Sequence, residues 1–419
     1  MARKITGFAA ALLSLASRPA DGRDHPLPSA TRVDAEVAAA MQATGTRSLA
    51  LAIIDHGRVV YVKPYGVRTQ AGAPLQADSI MYAASLTKVV FAYLVLQLVD
   101  DHVIALDTPI ERYLPKPLSA YDDADSARRY GDYSAVGLDP RWRSITPRML
   151  LNHASGLPNL THMEPDGKEH LHFDPGSRYA YSGAGLLLLQ LVLEKGLGLD
   201  IAKEAQRRIF DPLGMKDSSF TWRDAFSGRE ATGWALDGSA PGHAHQSRVR
   251  VAGSMDTTIN DMARFAAALV RGDRLSARSR RELSRPRLAI TTASEFPTLQ
   301  PEAPPARRHR DLAIGTGVVT FSGPQGPGFQ KGGHNDTTGN TMICLARRQR
   351  CVVMLGADVR AEAAYPGLVR FILGDTGFPW RWLYDDMRFW GQDAPPATPP
   401  AAAPAAEGAT HAAPRRGPS

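Results

Sequence analysis

The sequence predicts an α+β fold: one antiparallel sheet built from both ends of the chain, flanked by helices, with a mainly helical subdomain inserted between them. Three observations lead there. Strand-like runs lie near the N-terminus, on either side of the turn signal Asp55-His56-Gly57. Strand signals return only after about residue 313, and the stretch from about 105 to 300 reads as helix and loop. Strands at both ends with helices between are most simply packed as one sheet with flanking layers, and a cleft is expected at the junction.

The elements follow in order. Val33 to Thr44 has helical composition, and Ser48 to Ile54 and Arg58 to Val67 form a hairpin. Ser85 to Val99 is apolar on nearly every side, which predicts a buried helix, opened by a serine and closed at Asp100-Asp101. Thr146 to His153 is a short helix stopped by Ser155-Gly156. Gly183 to Lys195 is an apolar helix ended by Gly196, and Asp261 to Arg271 is amphipathic and stops at Gly272. Ala313 to Phe321 and Phe329 to His334 read as single strands. Thr341 to Ala346 and Cys351 to Leu355 make a hairpin about Arg347-Arg348, and Ala363 to Leu373 is a closing helix.

At 419 residues and 43% hydrophobic composition the chain can bury a sizeable core. Residues 1–20 read as a signal peptide: Arg3 and Lys4 precede the apolar stretch Ile5 to Ala16, and Ser14-Leu15-Ala16 suits cleavage. The expected location is periplasmic or secreted. No other long uncharged stretch exists, so no transmembrane helix is expected after removal of the leader. Residues 31–385 form the folded domain, and 393–419 are an Ala/Pro-rich tail expected to be disordered. The formal charge is +7, but the arginines are scattered, and nucleic-acid binding is not expected. Cys344 and Cys351 face each other if the hairpin turns at Arg347-Arg348; a disulfide and two buried thiols both remain open.

Of the 49 basic residues only nine are lysines, and only lysine can give up its proton to serve as a base. One of them, in Ser85-Leu86-Thr87-Lys88, lies one helical turn after a serine, and residues i and i+3 share a helix face. The helix start favours developing negative charge on Ser85, and burial lowers the pKa of Lys88 toward that of a working base. Tyr181 is delivered by the turn Pro175-Gly176 just before an apolar helix; a phenol beside lysine ammonium groups can act as a general base. Lys331-Gly332-Gly333 sits on a late strand, where paired glycines allow close approach of a ligand or another backbone. The N–H groups of Ser85 and His334 are candidates for an oxyanion hole. His170-Leu171-His172 and His243-Ala244-His245 lack the richer cluster a zinc site needs, and no Gly-x-Ser-x-Gly elbow or phosphate loop occurs; no metal or other cofactor is expected.

Ser-x-x-Lys, a tyrosine motif and a late Lys-x-Gly, in this order, resemble the penicillin-recognising serine enzymes. The branch is that of class C β-lactamases, D-Ala-D-Ala carboxypeptidases and family VIII esterases. Asp55 to Tyr61, Ile145-Thr146-Pro147 through His153-Ala154-Ser155-Gly156-Leu157-Pro158, and Val251 to Asp256 extend the resemblance over residues 33 to 375. It implies a β-lactamase/transpeptidase-like fold. Ser85 would be acylated, Lys88 and Tyr181 would share the proton work, and Lys331 would assist electrostatically. Ser182, Gly183, Gly333 and His334 would border the substrate, a small acyl compound such as an ester, a β-lactam or a peptidoglycan peptide. One departure stands out: the tyrosine motif usually ends in Asn, and here it is Tyr181-Ser182-Gly183. Gly183 has no side chain for a substrate amide, which favours esters. The rival readings are a catalytically weak ligand- or peptidoglycan-binding protein of the same fold and an adaptor using the basic run Arg307-Arg308-His309-Arg310.

Overall fold

A computed structural model of the chain describes residues 25–384 and 387–391. The leader expected at 1–20 and the tail expected at 393–419 lie outside the described residues. Among the described residues, no helix is long and apolar enough to cross a membrane.

The main sheet has eight antiparallel strands in the order β2-β1-β10-β9-β8-β7-β6-β5. Its members are β1 (Ser48–Asp55), β2 (Arg58–Gly66), β5 (Leu288–Ala289), β6 (Ala313–Ile314), β7 (Val319–Gly323), β8 (Gly326–Asn335), β9 (Thr338–Leu345) and β10 (Arg350–Gly356). A two-residue ladder joins β3 (Met81–Tyr82) to β4 (Asp256–Thr257). The sheet is closed in its middle by chain ends: Ala50 pairs with Leu355 and Ile54 with Cys351.

Alternation along the central strands divides the core in two. Leu49, Leu51, Ile53, Val352 and Met354 point to one face, where they pack with helix α1 (Ala30–Thr44) and the helix Tyr365–Leu373. Ala50, Ala52, Ile54, Cys351, Val353 and Leu355 point to the other, against helix α2 (Leu86–Asp100) and the helical region. A strand covered on both faces needs apolar residues at every position, which is why Ser48–Ile54 reads as a continuous apolar run. Helix α2 lies inside this second core, with every residue from Leu86 to Leu98 buried.

Two expectations change. The stretch Ala313 to Phe321 is not one strand but two, β6 and β7, which pair with each other. The chain reverses at Gly315-Thr316-Gly317, where Gly317 has φ +77° and sits against Ala92; a Cβ there would come within 2.5 Å of the Ala92 Cβ. The cysteine question is resolved too: Cys344 pairs with Cys351 across β9 and β10, and the two form a disulfide.

Candidate active site

Helix α2 begins at the site. Its N-terminus is tied down by Ala83 N–H to Met255 O (2.9 Å), and by Thr87 Oγ1, which accepts from Met255 N–H (3.1 Å) and donates to Ala84 O (2.6 Å). Asn340 of β9 donates to Tyr82 O (3.0 Å) and accepts from Gly356 N–H (3.2 Å), stitching the same segment to the sheet. Ala84, immediately before Ser85, is held at φ +46°, a conformation that costs an alanine energy. The surrounding hydrogen bonds hold that strained turn, and Ser85 emerges from it as the N-cap residue, its side chain free of any capping bond.

Lys88 Nζ lies 2.9 Å from Ser85 Oγ and donates to Ala252 O. Burial, and then the charge of Lys331, push the Lys88 ammonium well below the usual lysine range, against a weaker pull from Glu295. Lys88 is therefore held closer to the neutral amine than an exposed lysine, within reach of the Ser85 hydroxyl.

Tyr181 reaches the same point from the loop 175–182. That loop is pinned to the segment 153–154 by Gly176 N–H to Ala154 O (2.7 Å) and Ala180 N–H to His153 O (2.8 Å). Lys88 Nζ and Lys331 Nζ each lie 5.0 Å from the centre of the Tyr181 ring, and Lys331 Nζ is 3.4 Å from its hydroxyl. Burial and then Glu295 push the Tyr181 phenol above its ordinary pKa, with a hydrogen bond to Ser85 only partly offsetting them. The phenol therefore keeps its proton in the resting site. Lys331 is pushed down to about 8 by burial, which Glu295 opposes.

Strand β8 supplies the facing wall. Its ladder with β7 ends at the pair Val319 and Gln330, so Lys331 to Asn335 pair only with β9. The free edge runs past α2: a Cβ on Gly333 would lie 2.6 Å from Ala83 O and 3.0 Å from both Ser85 N and Leu86 N. Only glycine lets this backbone approach the nucleophile so closely. The His334 side chain leaves on the opposite face of the strand. It is 55% exposed, and its Nδ1 lies 2.8 Å from Glu362 Oε2, a bond that raises the imidazole pKa against the effect of burial.

Two expected substrate contacts are differently employed. Ser182 is buried and caps the helix Gly183–Leu191: its Oγ accepts from Gly185 N–H and donates to Pro158 O, both at 2.8 Å. A serine directly before an apolar helix has this role for elementary reasons, since the first N–H groups need an acceptor. Gly183 is buried, its N–H donating to Asn159 Oδ1 at 3.0 Å. The His-x-His pairs are engaged with separate carboxylates, His170 with Asp166 (3.0 Å), His172 with Glu164 (2.5 Å) and His243 with Asp256 (2.8 Å). Among the described residues no group of three His, Cys, Asp or Glu is placed to hold a metal ion.

Two residues that the motifs did not single out belong to the site. His153 lies 4.6 Å ring to ring from Tyr181; its Nδ1 accepts from Ser182 N–H (3.1 Å), and burial keeps it neutral. Glu295 is a buried carboxyl that accepts from Tyr179 OH (3.1 Å) and acts on both lysines; its own pKa is raised by burial, with Lys331 the first opposing influence.

The family model described as Beta-lactamase matches residues 33–366. The chain belongs to the beta-lactamase family. Members of this family similar to the chain include a lovastatin esterase of Penicillium rubens, 31% identical over 39% of this chain and 46% of its own length. Esterase EstB of Burkholderia gladioli is 28% identical over 46% and 51%, and the D-alanyl-D-alanine-carboxypeptidase/endopeptidase AmpH of Escherichia coli is 27% identical over 42% and 46%. The matched stretch thus spans about half the length of these curated relatives. Among solved structures, a penicillin-binding protein homologue from Pyrococcus abyssi superposes with a TM-score of 0.65, at 17% identity, over 84% of this chain and 80% of that one. The D-alanine carboxypeptidase AmpC of Burkholderia cenocepacia gives 0.62 at 18%, over 82% and 98%. These likenesses establish the beta-lactamase/transpeptidase fold.

Proposed function

We propose that the chain is a serine hydrolase that works through an acyl-Ser85 intermediate on small acyl compounds, esters foremost. The observation that carries this is the 2.9 Å contact between Ser85 Oγ and a buried Lys88 whose pKa is depressed. In this reading Lys88 takes the Ser85 proton as Oγ attacks the acyl carbonyl. The N–H groups of Ser85 and His334 receive the developing oxyanion across the gap that Gly333 keeps narrow. Collapse breaks the bond to the leaving group, which receives the proton from Lys88 by way of the Tyr181 hydroxyl. Water then attacks the acyl-serine, its proton passing back through the same pair, and the acid product leaves. Lys331 supplies positive charge beside the tyrosine and holds Lys88 neutral.

The preference for esters is supported by the similarity to esterases and by Phe296, an exposed ring 5.6 Å from Tyr181 that offers an apolar wall to an acyl chain. The disulfide and the composition of the leader support a place outside the reducing cytoplasm. The test is intact-mass analysis after incubation with a labelled penicillin and, separately, with an activated short-chain ester. A stoichiometric adduct or rapid turnover that disappears in Ser85→Ala is expected; neither with either reagent, in folded wild type, refutes the reading.

A further inference from the structure

One end of the fold concentrates positive charge. Between Arg271 and Arg287 the chain carries seven arginines and two acids. Both acids are already engaged. Asp273 accepts from Arg271 Nε at 3.0 Å, and the buried Glu282 is shared by Arg148 (2.8 Å) and Arg287. Arg274, Arg278, Arg280, Arg281 and Arg285 are exposed, and among the described residues none of the five has a carboxylate partner.

The patch is held in place by the fold. The helix Ala277–Ser284 buries Ser279, Glu282 and Leu283, which leaves Arg278, Arg281 and Arg285 together on its outer face. Its start is tied to the end of α2: Asp100 accepts from Ser276 N–H (2.7 Å), Ser276 Oγ (2.6 Å) and Ser279 Oγ (2.6 Å). The stem of Arg280 lies across Gly272, where an added Cβ would come within 2.5 Å of the Arg280 Cγ.

The same end carries bare apolar surface. Gly57, at the tip of the hairpin between β1 and β2, packs on Arg271, whose Nη1 donates to Gly57 O. The next three residues, Arg58, Val59 and Val60, are all exposed, the two valines at 39% and 54%. Tyr61 pairs with Ile53 and Val59 with Ile54, so Val60 is the extra residue of a bulge, a device that re-aims a side chain. Adjacent aliphatic side chains edged by guanidinium groups have the chemistry of a lipid interface, with apolar groups for the acyl boundary and forked donors for phosphate. This end also lies at the far end of α2 from Ser85, about 22 Å away along fifteen residues of helix, so a surface docked here leaves the cleft open.

We propose that the hairpin tip 57–60 and the arginines of 274–285 form a membrane-docking face for a bilayer rich in anionic phospholipid. The guanidinium groups take headgroup phosphates, and Val59 and Val60 enter the interface. A nucleic acid also offers phosphates, but it gives the valines nothing to enter. The proposal is independent of the acyl-Ser85 reading.

The test is co-sedimentation of the full chain with vesicles of phosphatidylcholine alone and of phosphatidylcholine containing about a third phosphatidylglycerol, at low and high salt. Binding is expected to the anionic vesicles only, and to weaken as salt rises. The triple variant Arg278→Gln/Arg281→Gln/Arg285→Gln should bind about a hundredfold more weakly, each arginine near an anionic surface contributing about fivefold. Its urea unfolding should match wild type. The pair Arg274→Gln/Arg280→Gln, expected to lose about thirtyfold on the same reckoning, serves should the triple variant not fold. Val60→Ser should weaken vesicle binding about fivefold and leave binding to a short DNA duplex unchanged. Folded wild type that does not bind anionic vesicles at low salt, or binds both kinds equally, overturns the proposal. So do folded arginine variants that bind within threefold of wild type. Duplex bound as tightly as vesicles, with no effect of Val60→Ser on either, overturns it in favour of a general polyanion surface.

Discussion

Gly333→Ala tests the close approach of β8 to the nucleophile. The added methyl would lie 2.6 Å from Ala83 O and 3.0 Å from the nitrogens of Ser85 and Leu86, all main-chain atoms, whereas ordinary contacts begin at 3.4 Å. Nothing flexible can yield, so strand and helix start must part by something near the 0.8 Å shortfall. The Ser85 and His334 N–H groups then no longer converge on one oxygen. A misplacement of about 1 Å costs roughly a hundredfold, and loss of one oxyanion donor roughly 10²–10³ in kcat. We expect kcat for an activated ester to fall about a hundredfold, or about 2.7 kcal/mol of barrier. Overpacking costs about 1–3 kcal/mol of stability, read from urea unfolding. Gly332→Ala is the control: its nearest neighbour is the movable end of Gln330, at 3.3 Å, and kcat should stay within about threefold of wild type. A folded Gly333→Ala with kcat within threefold of wild type would refute the oxyanion geometry.

Further outcomes concern charge, anchoring and the cross-link. Below the depressed pKa of Lys88 its amine is protonated and cannot take the Ser85 proton, so kcat/KM has an acid limb there. Lys331→Met removes a charge that lowers this pKa and should move the limb to higher pH; Glu295→Gln removes one that raises it and should move the limb the other way. Limbs that do not move in opposite directions would contradict the coupling. Where Lys331 must be cationic, activity should decline through about pH 8 as its charge is lost, and pH–rate profiles in wild type check this. Thr87→Val strands the buried Met255 N–H and should lower unfolding free energy by about 1–3 kcal/mol in chemical denaturation. The disulfide closes a short loop, with a sequence separation of 7, so loop entropy limits its contribution to about 2–3 kcal/mol; comparing denaturation midpoints of the oxidised and reduced protein measures it.

What the sequence made legible follows from locality. Ser85 and Lys88 are one turn apart on one helix, so helical geometry brings them together whatever the rest of the chain does. The alternation and apolar runs of the terminal strands named the sheet, because burial on one or both faces writes itself into each strand. Glu295 was invisible for the opposite reason. It sits in a stretch without periodicity, between Ser294 and Phe296, and meets the lysines only through tertiary packing. Asn159 was likewise one residue past a recognised loop, and its contact with Gly183, 24 positions away, forms only through tertiary packing. Ser182 carries a second signal: a serine before an apolar run is a cap, and its Oγ accepts from Gly185 N–H. The break at Gly315-Thr316-Gly317 was also in plain view, since two glycines inside an apparent strand mark a turn.

The pairing of β1 with β10 has a consequence for how the site comes into being. Ser85 and Lys88 are synthesised early, but Lys331, Gly333 and the strand that carries them arrive about 250 residues later, and Ala50 waits for Leu355 before the sheet can close. Contacts of such sequence separation form slowly, because the intervening chain must be ordered first. Until then Lys88 is neither buried nor beside a second lysine, and its amine keeps an ordinary affinity for its proton. On the acyl-Ser85 reading, a growing or half-folded chain therefore carries its serine unarmed, and the site is completed only with the last strands of the sheet.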